Sequence, residues 1–489
     1  MVFSEPLFLL AFFPLCMLFY ALARSIHAKN VVLLVFSLVF YAFGGPAYLL
    51  LLIGMALADW VCARLIERNS GKKAAKFWMV TACVVDLGLL GIFKYTTFLL
   101  GGLHSLVGFP AVVPQIVLPI GISFYTFQLL SYVIDVYRGE VPAQKRFFRL
   151  LLYVSLFHQC IAGPIVRYKD VSNEIVARQV SLPEISAGVT RFTVGLAKKA
   201  LLANACGALA DQYLLEDGLN AVGVSVADNA AALAERPAAL LWLGVLAYML
   251  QIYLDFSAYS DMAIGMGLMV GFHYRENFEY PYLSASVTEF WRRWHISLSS
   301  FFRDYVYIPL GGSRCSRARN LFNLLVVWAL TGLWHGASWN FVLWGLYFFV
   351  FLALEKLFFK KALEKLPRLV SHLYLLIVVF FGWILFRFRH LSLAWITVKG
   401  LFCANGNPFT TFEAGTAWLN VLFLLLVAML ACTPLVHNLR KNLQRRAPVS
   451  PAAHRVLAVT ETLAPVLLMG ASLAALVGAS YNPFLYFQF

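Results

Sequence analysis

The sequence predicts an all-α protein that crosses a membrane many times, and three observations support this fold class. Of its 489 residues, 61% are hydrophobic and only 13% are charged, too little charge to cover a water-soluble chain of this length. Apolar runs of roughly 20 residues recur, and this is the length of a helix that spans a bilayer. Lys and Arg concentrate in short connections between these runs, as in the cytoplasmic loops of membrane proteins.

The apolar runs, taken in chain order, predict one bundle of about 11–13 transmembrane or re-entrant helices in a single domain that covers residues 1–489. The candidate spans lie near residues 6–23, 31–46, 48–66, 77–100, 117–137, 147–163, 199–214, 239–256, 321–336, 338–355, 371–386, 418–436 and 457–480. The candidates at 147–163 and 321–336 are the shortest, and each ends in a glycine-containing break, AGP or HGA. Irregular backbone at membrane depth is tolerated where it is buried in protein or lines water, so these breaks indicate a cavity inside the bundle.

The formal net charge of +15 does not point to nucleic acid, because the basic residues follow the membrane topology. Clusters such as Arg138–Arg149 and Arg440–Arg446 alternate with connectors poor in Lys and Arg, such as GGLHSLVGFPAVVPQ, EDGLNAVGVSVADNAAALAE and CANGNPFTTFEAG. We therefore predict that the basic loops are cytoplasmic and that both termini lie on the outer side.

The eight cysteines are scattered, and no two form a CxxC pair. We expect neither a disulfide framework nor a metal site from this distribution, and we interpret the cysteines as small apolar residues of the helix interfaces.

The charged residues that lie within apolar runs include Lys94, Asp135, Asp255 and Asp261. The structural interpretation is that each is paired inside the protein or reaches the interface near a helix end. Asp255 and Asp261 belong to the unusually polar segment YLDFSAYSDMAIG, which is therefore also a candidate for lining the cavity.

The region of residues 280–355 carries the most organised chemistry. In SVTEFWRRWHISLSSFFRDYVYIPLGG, apolar residues recur at spacings of 3, 4, 3 and 4, namely Trp291, Trp294, Leu298, Phe301 and Tyr305. This spacing predicts an amphipathic helix at the cytoplasmic face, capped by Ser286 or Thr288 and ended by Pro309. His295 leans toward its apolar side, and the basic residues off the stripe, Arg292, Arg293 and Arg303, face lipid headgroups in the simplest interpretation.

His335, in ALTGLWHGASWN, is the one residue able to change its charge near neutral pH within the run from Asn320 to Leu354. An ionisable group at membrane depth is disfavoured by at least about 2.5 kcal/mol and usually faces a cavity or a partner. Two interpretations stay open at this point: a neutral histidine hydrogen-bonded between packed helices, or a catalytic one. His295 lies 40 residues earlier, so a helix from one side and a span from the other could bring the two rings together.

The surroundings of His335 favour a lined cavity. Gly332 and Gly336 form a G-x-x-x-G pair, which lets another backbone approach. The hydroxyls of Thr331 and Ser338 could fall on the face of His335, while Trp334 and Trp339 add bulk that excludes water.

The segments WRRWHISLSSFFRDYVYIPLGG and ALTGLWHGASWNFVLWGLYF closely resemble the membrane-bound O-acyltransferase family, in its bacterial branch typified by the alginate O-acetyltransferase membrane subunit. LPIGISFYTFQLLSYVIDVYRG, HQCIAGPIVRYKD and the ending YNPFLYFQF are similar to that branch in the same order. The resemblance covers essentially the whole chain.

The resemblance implies a bundle around a tunnel open to both sides of a bacterial cytoplasmic membrane. His335 matches the family's catalytic histidine and His295 a second active-site residue. The implied acyl donor is a cytoplasmic thioester, acetyl-CoA, with no tightly bound cofactor and no metal. The implied acceptor is an exported polysaccharide, reached through a separate extracytoplasmic acyltransferase of the SGNH-hydrolase kind.

The implied chemistry fits these residue types. Transfer from thioester to hydroxyl needs a base, which we assign to His335, and such a base typically contributes about 100- to 10,000-fold. His295 could orient the thioester, donate to the oxyanion or set the protonation of His335. Guanidinium groups match phosphate geometry, so Arg292, Arg293 and Arg303 are candidates for coenzyme A phosphates. Weaker donor-binding candidates are Trp334, Ser338 and Asp304, although Asp304 could simply pair with Arg303.

Two rival functions stay open. The first is D-alanyl transfer to teichoic acid from a carrier protein, a different activity of the same family. The second is a transporter or channel, which also uses intramembrane charges and broken helices, but it predicts inverted repeats and none is detectable.

Overall fold

The computed structural model describes residues 1–108, 116–160, 163–215, 225–478 and 481–483, and within these ranges the chain forms helices and no strands. The helices are α1 (Phe13–Leu22, preceded by a π-helical segment Phe8–Phe12), α2 (Ile26–Ala42), α3 (Pro46–Arg68), α4 (Lys73–Val107), α5 (Ile122–Arg138), α6 (Phe147–Ser155), α7 (Phe157–Cys160), α8 (Tyr168–Val176), α9 (Leu182–Ala197), α10 (Asn204–Leu214), α11 (Val226–Ala234), α12 (Ala238–Met269), α13 (Val287–Arg293), α14 (Ile296–Phe302), α15 (Arg317–His335), α16 (Trp339–Leu354), α17 (Lys360–Lys365), α18 (Arg368–Arg387), α19 (Leu391–Leu401), α20 (Phe412–Ala431), α21 (Leu435–Arg446) and α22 (Pro451–Val477). The all-α prediction is confirmed.

Seven helices in the described ranges are long and apolar enough to cross a membrane. They are Pro46–Arg68, Lys73–Ser105, Ala238–Met269, Trp339–Lys365, Arg368–Arg387, Phe412–Ala431 and Pro451–Val477. Three shorter helices are also apolar: Phe8–Leu22, Ile26–Ala42 and Leu391–Leu401. The chain is therefore a multi-pass membrane protein, as predicted.

Several predicted boundaries differ from the observed ones. The candidate at 147–163 is two helices, because α6 ends at Ser155 and α7 begins at Phe157. The last two spans begin at Phe412 and Pro451 rather than near 418 and 457, since Thr411 and Ser450 cap their first turns. Part of the AGP break, residues 109–115 and 216–224 of two connectors, and most of the YNPFLYFQF ending lie outside the described residues.

The chain divides into two compact units. Unit 1 comprises Met1–Phe192 and Tyr259–Glu276, and unit 2 comprises Thr193–Ala258 and Asn277–Phe489. Helix α12 contributes residues to both units. Both histidines singled out in the sequence, His295 and His335, belong to unit 2. The predicted single domain over residues 1–489 and the predicted tunnel through the bundle stay predictions.

The four charged residues named from the sequence, Lys94, Asp135, Asp255 and Asp261, have polar partners, which agrees with the structural interpretation. In unit 1, Asp135 pairs with Lys169 at 3.4 Å and Asp261 with Arg191 at 2.8 Å. Lys94 donates from Nζ to the Ser123 hydroxyl at 3.4 Å. In unit 2, Asp255 pairs with Lys199 at 2.8 Å, and both side chains are 2% exposed.

Candidate functional site

The segment around His295 forms two short helices, one on each side of it, rather than the one predicted amphipathic helix. Helix α13 ends at Arg293 and α14 begins at Ile296, with His295 as the N-cap of α14 in the left-handed region (φ 46°, ψ 54°). A non-glycine residue rarely adopts this conformation, which costs of order 1–3 kcal/mol and is enriched at functional sites, although Leu215, Tyr280 and Cys403 also have positive φ. Ser286, rather than Thr288, caps α13, since its side chain accepts from the Glu289 backbone N–H.

Four of the five residues of the predicted apolar stripe face protein, and the fifth, Tyr305, is half-buried. The headgroup-facing role of the basic residues stays a prediction. Trp291, Trp294, Leu298 and Phe301 are at most 9% exposed and pack inside unit 2. Aromatic side chains of the same unit pack around the two tryptophans of this stripe, among them Trp328 and Phe348 beside Trp291 and Trp383 beside Trp294. Trp291 lies edge-on to Trp344 at a centroid distance of 5.5 Å.

His295 is oriented by Asn277, which precedes it in the loop after α12. Asn277 Oδ1 lies 3.2 Å from His295 Nδ1 and also accepts from the Ser297 backbone N–H at 3.2 Å and the Ser297 hydroxyl at 2.8 Å. The Ser297 backbone N–H can only donate, so the Asn277 atom at this position must be the oxygen. The Ser297 hydroxyl also lies 3.4 Å from Nδ1, but it donates to Asn277 over the shorter distance, so this arrangement favours the tautomer with the proton on Nδ1.

The other nitrogen of His295 therefore presents a lone pair. Nε2 is buried and has no hydrogen-bond partner within the described part of the chain. The ring is 1% exposed, and this burial lowers the pKa of His295 to about 3. A neutral imidazole with an unoccupied acceptor nitrogen can accept a hydrogen bond or a proton from a substrate.

His335 is the last residue of α15, which is followed by Gly336 in extended conformation, so the predicted glycine break is confirmed. Helix α15 packs closely on α16: a Cβ at Gly332 would overlap the Phe341 carbonyl oxygen and lie 3.4 Å from Gly345 Cα. Gly332 thus admits the α16 backbone, as predicted for the motif, whereas a Cβ at Gly336 would meet the Phe341 ring.

Aromatic rings enclose His335, which is 7% exposed. Trp344 and Phe386 approach its ring edge-on at centroid distances of 5.0 and 5.2 Å, and Phe341 lies at 6.5 Å. Asn340 holds the Phe386 end of α18 by donating to the Leu385 and Phe386 carbonyls at 3.3 and 3.4 Å. The histidine thus ends a helix inside an apolar enclosure in which a proton acceptor is shielded from bulk water.

One indole joins the two histidines. The Trp334 ring lies 5.7 Å from the His295 ring and 5.0 Å from the His335 ring, measured between centroids. The structure therefore brings the two histidine motifs together. The sequence analysis gave this as a possibility for two histidines 40 residues apart. Trp334 is 3% exposed, in keeping with its predicted role in excluding water.

Glu355 fixes the helix that leads to His295. Its carboxylate accepts from the backbone N–H groups of Val287 and Thr288 at 2.6 and 2.9 Å and from the Thr288 hydroxyl at 2.6 Å. The neighbouring Lys356 donates to Asn320 Oδ1, and Asn320 Nδ2 donates to the Gly312 carbonyl at 2.8 Å. The end of α16 thereby holds both the start of α13 and the loop that precedes α15.

The predicted donor-binding residues have mixed surroundings. Arg293 pairs with Glu289 at 2.8 Å, and Arg303 pairs with Asp304 at 2.7 Å, which confirms the local role considered for Asp304. Arg292 is exposed. Ser338 is the N-cap of α16, and the Thr331 hydroxyl donates to the Val327 carbonyl at 2.8 Å. Trp339 is 62% exposed, and its role in excluding water stays a prediction.

The sequence analysis missed Asn277, Trp344, Glu355 and Phe386. Three of them lie in segments already singled out as motifs or spans, but nothing in the residue pattern distinguished them from their neighbours. Asn277 lies in an irregular loop, so no helical periodicity connects it with His295. The described ranges contain no group of three or more His, Cys, Asp or Glu side chains that could hold a metal ion.

Comparison with known proteins places these motifs in a family. The sequence model of the membrane-bound O-acyltransferase family matches residues 143–396. The chain is 36% identical to the probable alginate O-acetylase AlgI of Azotobacter vinelandii over 100% of both proteins. It is 32% identical to the peptidoglycan O-acetyltransferase of Helicobacter pylori, over 83% of this chain and 80% of that protein. It is 26% identical to the teichoic acid D-alanyltransferase of Bacillus subtilis, over 55% of this chain and 67% of that protein.

Proposed function

This chain belongs to the membrane-bound O-acyltransferase family, and on that premise we propose that it moves an acetyl group from cytoplasmic acetyl-CoA toward an exported polysaccharide. Membership makes it a multi-pass membrane O-acyltransferase. The observation that carries the finer proposal is the pair of buried histidine rings in contact with Trp334, in a chain whose full-length relative is named for alginate O-acetylation.

The proposed reaction is an acyl transfer from sulfur to oxygen. His335 takes the proton from the acceptor hydroxyl while the oxygen attacks the thioester carbonyl, which forms a tetrahedral oxyanion. Collapse of this intermediate re-forms the carbonyl and breaks the carbon–sulfur bond. The departing thiolate takes the proton from the His335 imidazolium, so the products are an acetate ester and coenzyme A.

The tautomer of His295 argues against one of its three possible roles, donation of a hydrogen bond to the oxyanion. With Nδ1–H directed at Asn277 and the ring neutral, Nε2 has no proton to donate to an oxyanion. We therefore assign His295 as an acceptor that positions the substrate hydroxyl for His335, and leave the oxyanion to other donors.

Coenzyme A is a polyanion, so its phosphates require cations at the donor side. Of the three predicted arginines, Arg293 and Arg303 already have carboxylate partners. Arg292 is exposed and forms no ion pair with any residue that the structure describes, so we place the phosphate contact first on Arg292. Loss of this contact should raise KM for acetyl-CoA without a change in membrane abundance.

We place the protein in a bacterial cytoplasmic membrane, with its basic loops facing the cytoplasm and both termini outside. The positive-inside distribution of Lys and Arg supports this orientation. It puts the donor on one side and an exported polymer, with an SGNH-type acyltransferase partner, on the other. Labelling from the two sides of a cysteine introduced at Arg445 or at Thr410, in a chain whose eight native cysteines are replaced by Ala, tests the orientation.

D-alanyl transfer is the second candidate, since one relative is named teichoic acid D-alanyltransferase. The likeness to that relative covers 55% of the chain, against 100% for the alginate O-acetylase, so we favour acetyl transfer. The two activities differ in their donor, which is acetyl-CoA in one case and an aminoacylated carrier protein in the other.

The decisive test compares base-labile acetate on exported glycan from cells with wild type or His335→Gln, at matched membrane abundance. Acetate that depends on His335 supports the proposal, and His390→Gln, a histidine outside the site, serves as the control. Unchanged acetate in His335→Gln contradicts the role of His335. Base-labile D-alanine that depends on His335, in place of acetate, selects the second candidate.

A further inference from the structure

A lateral groove lies between α16, α18 and α19 in unit 2, and neither the proposed reaction nor the family assignment uses it. It encloses about 960 Å³ and is lined by Tyr347, Phe351, Leu373, Tyr374, Ile377 and Trp395, with eight further aliphatic or aromatic side chains of the same helices. Leu373, Ile377 and Trp395 are 50–62% exposed. The groove is therefore open along its side and almost wholly apolar.

The groove lies on helices that cross the membrane, so a lipid chain is the molecule that its walls would meet. Helices α16 and α18 belong to the candidate spans, whereas α19 is too short to cross. A short helix beside two full-length ones leaves a space that hydrocarbon must fill, because apolar surface of this extent is unfavourable in water. The hydroxyl of Tyr347 donates to the Val378 carbonyl at 2.8 Å, so it is already satisfied within the protein.

Unpaired positive charge lies in the chain segment that joins the two spanning walls of the groove. The connection between α16 and α18 and the first residue of α18 carry Lys360, Lys361, Lys365 and Arg368, all exposed. None of the four forms an ion pair with another described residue. Val370, which lines the groove, follows Arg368 by two residues.

We propose that the groove binds one anionic glycerophospholipid, with an acyl chain in the groove and the phosphate paired with the basic segment Lys360–Arg368. An acyl chain matches the apolar walls, and an anionic headgroup matches the unpaired cations, which attract acidic lipids at a membrane surface. The wall is also close to the candidate site in sequence. Leu385 lines the groove, and the next residue, Phe386, contacts His335.

The test is lipid binding to the purified full-length protein, measured by native mass spectrometry with phosphatidylglycerol and phosphatidylcholine of identical chains. Wild type should bind one phosphatidylglycerol at least ~10-fold more tightly than phosphatidylcholine. Exchange of Lys360, Lys361, Lys365 and Arg368 for Gln should reduce this preference to less than ~3-fold. Ile377→Trp, which fills the open side of the groove, should weaken both lipids at least ~5-fold.

Two matched controls separate this site from general lipid contact. Exchange of four other basic residues for Gln, at Lys441, Arg445, Arg446 and Arg455, removes the same charge from α21 and α22. Leu419→Trp adds the same ring to α20, where Leu419 is 74% exposed. Both controls should bind like wild type, and all variants should elute as single species. Absence of headgroup preference in wild type, or equal losses in a control and its matched variant, overturns the proposal.

Discussion

Asn277 accepts a hydrogen bond from Nδ1 of His295 at 3.2 Å, and this contact determines which nitrogen of the ring is available to a substrate. The backbone N–H of Ser297 shares the same amide oxygen, which excludes the flipped amide. Asn277 also contacts the residue after His295, since the Ile296 N–H donates to the Asn277 carbonyl at 2.9 Å. Two contacts with Asn277 thus hold the left-handed conformation of His295, one made by the His295 side chain and one by the backbone N–H of the next residue.

Replacement of Asn277 tests whether this orientation matters for catalysis. In Asn277→Ala the ring loses the partner that fixes its tautomer, and we expect acetyl transfer to fall by ~10- to 1,000-fold, the scale on which tautomer-fixing partners act elsewhere. The measurement is acetate on the exported glycan at matched membrane abundance. Unaltered transfer in Asn277→Ala would show that the ring does not depend on this contact.

Asn277→Asp distinguishes orientation from charge. The carboxylate still accepts from Nδ1, so the ring keeps its tautomer, but the negative charge favours the imidazolium and raises the pKa of His295 from about 3. The neutral ring is then lost as pH falls through the raised pKa. We expect activity close to wild type at pH 8–9, with an acidic decline that begins at higher pH than in wild type. A pH–rate profile in membrane vesicles checks this, and coincident profiles would contradict it.

Glu355 provides a test of the connection between α16 and the His295 segment. Glu355→Ala removes three hydrogen bonds from the start of α13 and leaves buried N–H groups unpaired, which should cost about 1–3 kcal/mol. Glu364→Ala, at an exposed position nine residues later, is the control. The readout is the temperature at which half of the detergent-solubilised protein is lost from the monodisperse peak. Equal midpoints for the two variants would show that the contact does not stabilise the fold.

The sequence predicted the spans and the histidine motifs because both depend on local pattern. Apolar runs set α3, α16 and α18, and side chains such as Ser286 cap helices from within their own first turn. The break at His295 was missed because the apolar stripe continues through it at helical spacing. What interrupts the helix is a contact from Asn277, 18 residues earlier, and such a contact leaves no periodic signal.

The same limit applies to the enclosure of His335. Its aromatic neighbours Trp344 and Phe386 come from two other helices, and each resembles many other aromatic residues in a chain with 42 Phe and 12 Trp. The G-x-x-x-G pattern could be recognised in the sequence, because two glycines one helical turn apart indicate a close approach whatever the partner helix is. Identification of their partner, α16, required the three-dimensional packing.

Gly345 tests this packing. A Cβ at Gly345 would overlap the Trp328 carbonyl oxygen and lie 3.2 Å from Gly332 Cα, and backbone cannot move aside as a side chain can. We expect Gly345→Ala to cost about 1–3 kcal/mol through overpacking and to displace His335 at the end of α15, with loss of acetyl transfer. Gly470→Ala is the control, because a Cβ there has no atom within 4 Å and alanine favours a helix. Comparable yields and midpoints for the two variants would contradict the close approach of α15 and α16.

His273 gives a pH-dependent prediction for unit 1. Its Nδ1 lies 2.8 Å from Glu174 and its Nε2 3.2 Å from Glu184, and these hydrogen bonds, that to Glu174 first, raise the pKa of His273 above its usual 6.5. A raised pKa means that the folded protein binds the proton more tightly than the unfolded chain. The resulting stabilisation is fully present below pH 6.5 and is lost as pH rises through the pKa of the folded state.

His273→Asn should therefore lower Tm by ~1–2 °C at pH 5.5 and by less at pH 8.5, measured in one detergent at constant ionic strength. His27→Asn, at an exposed position in the first turn of α2, is the matched control. A difference between wild type and His273→Asn that stays constant from pH 5.5 to 8.5 would show that the two carboxylates do not hold a charged ring.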